Sequence, residues 1–62
     1  MKNDEVTITC YGETTKQNRQ DAIRFYLEGM SWCDPYSHEY ARYEHIFNCL
    51  VAGDTEITDE NV

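Results

Sequence analysis

His45 and Cys49 stand four residues apart in a stretch with helical apolar spacing, so both side chains fall on one helix face and could offer two ligands to one ion. A zinc site needs further ligands, and the chain has neither a CxxC nor an HExxH pattern to supply them. His38 lies two turns from His45, about 10.5 Å along a helix axis, too far to share an ion directly; Cys33 is the nearest remaining donor. The pair is therefore expected to belong to a solvated polar face, with no metal or other cofactor. The same Cys/His pair could form a thiolate and a base, but 62 residues supply too few elements to wall a dry cleft around it. No glycine-rich phosphate loop occurs, and the abundant carboxylates are those of a solvated surface. No enzymatic activity is expected.

Twelve Asp+Glu against five Lys+Arg give a net charge of −7, which argues against direct binding to nucleic acid or to an anionic membrane surface, since both require a basic patch. No run approaches the ~18 apolar residues of a membrane span, and the start MKNDEV has no apolar core of a leader, so a cytoplasmic location is expected. Cys10, Cys33 and Cys49 are odd in number and widely spaced, which suits free thiols in a reducing compartment better than a disulfide scaffold. A domain of this size buries only ~60% of the surface its unfolded chain exposes and is marginal alone. A homodimer or another protein partner would add the missing burial.

These residues need elements to hold them. Val6 to Tyr11 alternates apolar and polar residues, predicting a strand over about 5–11 with Val6, Ile8 and Cys10 inward. Gly12 permits a turn, and Thr15 or Asn18 can cap a first helix over about 16–33. Ile23, Tyr26, Leu27, Met30 and Cys33 would share one face, with Ala22, Phe25, Gly29 and Trp32 extending it sideways. Asp34-Pro35 interrupts, and Asp34 or Ser37 can cap a second helix over about 36–52. On it Tyr36, Tyr40, Tyr43, Phe47 and Leu50 form a stripe, joined by Ile46 and Val51. Gly53 closes that helix, a short strand follows at about 55–58 with Ile57 inward, and the tail 59–62 frays. The expected fold is one α+β domain of β-α-α-β order, a two-stranded antiparallel sheet on a helical hairpin. Antiparallel strands would bring Asp4 and Glu5 beside Asp59 and Glu60 at one acidic end.

Two surfaces then compete for function. The acids Asp4, Glu5, Glu13, Asp54, Glu56, Asp59 and Glu60 serve solubility, or they engage a basic surface on another protein and occupy a site that normally receives nucleic-acid phosphate. The aromatic side, Ala22, Phe25, Gly29, Trp32 and Tyr36, offers a dimer or apolar contact; Gly29 in mid-helix costs ~1 kcal/mol relative to Ala, which suggests a close approach there. The tyrosines of the second helix are either core with wet tips or interface.

The segment Thr9-Cys10-Tyr11-Gly12-Glu13-Thr14, the helix Asp21-Ala22-Ile23-Arg24-Phe25-Tyr26-Leu27-Glu28-Gly29-Met30, the Cys33-Asp34 turn, Glu39-Tyr40-Ala41-Arg42-Tyr43 and Gly53 together resemble a group of very short uncharacterised proteins of phages and integrated mobile elements. The resemblance implies a phage or bacterial setting, with host cytoplasm as the compartment, and an anti-defence role. The protein would inhibit a host nuclease complex in the manner of an anti-CRISPR, by binding a nucleic-acid-binding effector. It assigns no functional residues. The other readings are a structural or regulatory subunit of a phage or mobile-element assembly, and a small metal-binding protein.

Overall fold

The computed structural model describes residues 4–60 as an α+β fold of order β1 (Glu5–Cys10), β2 (Glu13–Asn18), α1 (Arg19–Trp32), α2 (His38–Ala52) and β3 (Glu56–Thr58). The sheet has three strands in the order β2-β1-β3 rather than the expected two, with β1 antiparallel to β2 and parallel to β3. The added strand is β2, six polar residues whose periodicity predicts a loop and the start of a helix. Its cause is local. Tyr11 and Gly12 both have positive φ, 54° and 81°, which is what a two-residue turn needs if its twist is to match that of a hairpin. Cys10 thereby pairs with Glu13, and the ladder runs on to Glu5 opposite Asn18.

That reversal has a consequence for the rest of the chain. With β2 inserted, the path turns once more before reaching β3, so β3 returns parallel to β1 instead of antiparallel. Thr7 N–H donates to the Thr55 carbonyl (2.8 Å) and Asp59 N–H to the Thr9 carbonyl (3.1 Å). The start of β1 and the end of β3 therefore lie at opposite ends of the sheet, and the predicted single acidic end does not form.

Asn18 ends β2 and caps α1, its side-chain oxygen accepting from the N–H groups of Gln20 and Asp21; the helix thus begins at Arg19, not near 16. Ser37 caps α2 through Tyr40 N–H (3.1 Å), so α2 begins at His38 and leaves Tyr36 outside it. Gly53, at φ 100°, supplies the left-handed residue that ends α2. Both helices pack on one face of the sheet. Val6 and Ile8 from β1, Ala22 and Tyr26 from α1, Ile46 and Leu50 from α2, and Ile57 from β3 form the core. The buried face of α1 is rotated from the expected one: Ala22 is fully buried, whereas Leu27 is exposed. Val51, expected inward on α2, is exposed as well. Residues 61 and 62 of the tail expected to fray lie outside the described residues; Asp59 is buried rather than frayed.

Candidate interaction surfaces

Asp59 is the one charged residue in the buried set among the described residues. One of its carboxylate oxygens accepts from Tyr11 N–H (3.0 Å) and from Arg42 Nη1 (2.6 Å), and the Arg42 guanidinium lies 4.7 Å from the centre of the Tyr11 ring. The Tyr11 N–H bond, aided by Arg42, holds this carboxyl below its ordinary range although burial pushes the other way. Asp59 therefore fastens the β1–β2 turn, α2 and the end of β3 together, and it drops out of the expected docking surface.

The other acids divide. Asp4 and Glu5 lie at the end of the sheet where β1 begins, with Thr55 and Glu56 alongside Thr7. Arg19 ties this end together: Nε donates to Asp4 Oδ2 (2.8 Å), Nη1 to the Leu50 carbonyl (2.6 Å) and Nη2 to the Gly53 carbonyl (3.4 Å). A guanidinium thus satisfies carbonyls at the C-terminus of α2, where the helix dipole favours positive charge. Glu13 and Glu60 belong to the opposite end, beside the Tyr11–Gly12 turn and Asp59.

The expected aromatic contact surface also divides. Ala22 is in the core and cannot reach a partner. Gly29 is explained inside the fold: a Cβ there would meet two ring carbons of Tyr43 at 2.6 and 2.7 Å, so the helix glycine is where α2 comes close. Phe25, Trp32 and Tyr36 remain, and their exposures are 56%, 88% and 97%. Trp32 and Tyr36 sit on either side of the α1–α2 turn. That turn is braced from within: Asp34 accepts from Tyr36 N–H through its side chain (2.9 Å) and from Ser37 N–H (2.9 Å) and Ser37 Oγ (2.7 Å) through its carbonyl. An ordered tip with two large rings in water is a feature that burial alone would not select.

Phe25 opens onto a cleft of about 230 Å³ between β2 and the helices, lined also by Cys10, Glu13, Thr15, Gln17, Tyr26 and Tyr43. On the β2 side its lining is polar, and the helix side chains do not fill it. Burial, then Asp59, pushes the Cys10 thiol up, and burial pushes the Tyr26 phenol up to about 12, so both stay protonated at neutral pH. Neither is an activated nucleophile. Periodicity does not reveal this cleft or β2; the signal available is Thr14-Thr15, two β-branched residues one position beyond a Tyr-Gly turn.

Cys49 Sγ and His45 Nε2 do approach, at 3.8 Å, along one face of α2. Burial, then Asp54, pushes the Cys49 thiol up, which weakens it as a metal ligand. Among the described residues no group of three His, Cys, Asp or Glu side chains gathers around a point, Cys33 included. Among them, too, no helix is long and apolar enough to cross a membrane. No family model, curated protein or solved structure matches the chain.

Proposed function

We propose that the protein works by contact, as an inhibitor of a bacterial defence nuclease complex of the anti-CRISPR kind, with the α1–α2 tip as its gripping element. The observation that carries this reading is the pair Trp32 and Tyr36, almost fully exposed on a turn that its own hydrogen bonds hold in place. Interfaces concentrate their energy in rigid aromatic anchors of this type. Around them Glu28, Asp34 and Glu39 make the tip acidic, which suits the basic surface of a nucleic-acid-binding effector and speeds the encounter with it. The acids at the two ends of the sheet extend that field rather than forming one nucleic-acid mimic.

The test is phage plating on a panel of bacteria, each carrying one active nuclease defence system and expressing the protein. Plaques are expected to return in one background and to be lost with the Trp32→Ala/Tyr36→Ala double variant at equal protein level. Binding to the purified nuclease complex from that background should weaken between about 50 and about 300 mM salt. Plating rescue that survives the double variant, or no rescue on any background, would sink the reading.

A further inference from the structure

The register of the sheet fixes which backbone groups of β2 have partners. Arg19 N–H donates to the Asp4 carbonyl, and pairing continues as Gln17 with Val6, Thr15 with Ile8 and Glu13 with Cys10. In an antiparallel ladder alternate residues bond inward, so these are the residues of β2 whose backbone groups face β1. Thr7 and Thr9 confirm the alternation, since they bond β3 on the other side. The N–H and C=O groups of Thr14 and Lys16 consequently point away from β1, along an edge that no other described strand covers. Next to that edge lie the uncovered cleft and the half-exposed ring of Phe25.

We propose that this edge is completed by a second copy of the chain, β2 pairing antiparallel with its counterpart about a two-fold axis at Thr15. The segment is self-complementary in that register. Thr14 exchanges backbone bonds with the second copy's Lys16, Thr15 faces Thr15, and Glu13 faces Gln17, so no like charges stand opposite one another. The neighbouring registers are worse. Centring on Lys16 sets two ammonium groups face to face, and centring on Thr14 drives the pairing into the Tyr11–Gly12 turn. The chosen register also puts the two clefts, each bordered by Thr15 and a half-exposed Phe25 ring, on the same face of the joined sheet, where apolar area from both copies is available for burial. The two sheets become one, and the exposed strand edge, a liability in a single copy, disappears. This assembly surface is separate from the Trp32/Tyr36 tip and does not depend on the function proposed above.

Sedimentation velocity between about 10 and about 500 µM tests it. A dimer is expected to form in that range, and to tighten with added salt because each copy carries −7. Lys16→Pro removes only an N–H that faces the open edge, so it should leave the intrachain ladder and the far-UV circular dichroism in place while weakening the dimer about ten- to a hundredfold. Phe25→Asp, on the helix rather than the strand, should weaken it comparably and carries the test if the proline variant loses its fold. A wild-type chain that stays monomeric throughout, or a dimer that neither folded variant weakens, overturns the proposal. An apolar extended segment of another protein docking on β2 of a monomer would do the same.

Discussion

A carboxylate taken out of water keeps its charge only if its hydrogen bonds replace the lost hydration, and Asp59 has two such bonds to one oxygen, from Tyr11 N–H and Arg42. Asp59→Asn keeps the shape but removes the charge, and chemical denaturation at neutral pH should show a loss of about 1–3 kcal/mol. The pH dependence has a definite sign. Because the folded carboxyl titrates below its unfolded value, its contribution is complete above about pH 4, where the unfolded chain is ionised, and is lost as acid is added through the lower folded value. The variant should lack that part of the acid limb. On the alkaline side Tyr26 works in the opposite sense: its neutral form is buried, so its contribution is complete below about pH 10 and disappears as pH rises toward about 12. Tyr26→Phe should flatten stability over that interval. Nothing in the sequence distinguished Asp59 from its solvated neighbours, because its role depends on Tyr11 and Arg42, which are remote along the chain.

The helices were the most legible elements, since an apolar stripe of helical period and a Ser, Asn or Gly at its ends are local signals. Asn18, Ser37 and Gly53 all act as the caps or stop that their types suggest. β2 was not legible by period: Glu13, Thr15 and Gln17, on the helix side of the sheet, are polar and border an open cleft, so the alternation that marks a half-buried strand never arises. Gly29 shows the same limit from another side. A glycine in mid-helix announces a close approach but not its partner, and that partner is Tyr43 within the same chain. Gly29→Ala gains helix propensity of up to ~1 kcal/mol but forces the Tyr43 ring to move, an overpacking cost of about 1–3 kcal/mol. Net destabilisation is expected in urea melts. In a Tyr43→Ala background the same substitution should become neutral or stabilising, and a glycine kept for an outside partner would show no such coupling.

For the whole molecule, β2 sets both the direction of β3 and the distribution of charge over the two ends of the sheet. Six residues thus decide the topology, because strand direction is counted in reversals and each one matters equally. Arg19 binds the result together by joining Asp4 to the carbonyls of Leu50 and Gly53. Arg19→Ala should cost about 1–3 kcal/mol in thermal or denaturant melts, with the last turn of α2 losing amide protection before the rest of the helix. A lysine there should recover only part of the loss, since an ammonium cannot span the same acceptors in a fixed fork.

The described residues measure 39 × 21 × 18 Å, and α1 carries Trp32 away from the Arg19 end by most of a helix of about 21 Å. Such an elongated body separates its two extremities by more than the screening distance at physiological ionic strength, so charge at one end acts little on charge at the other. Two copies joined along their strands would point their aromatic tips in opposite directions, like the prongs of a caliper reversed. An assembly of that form could bridge two targets but could not close on one, and any gain from having two tips would depend on sites spaced to receive them.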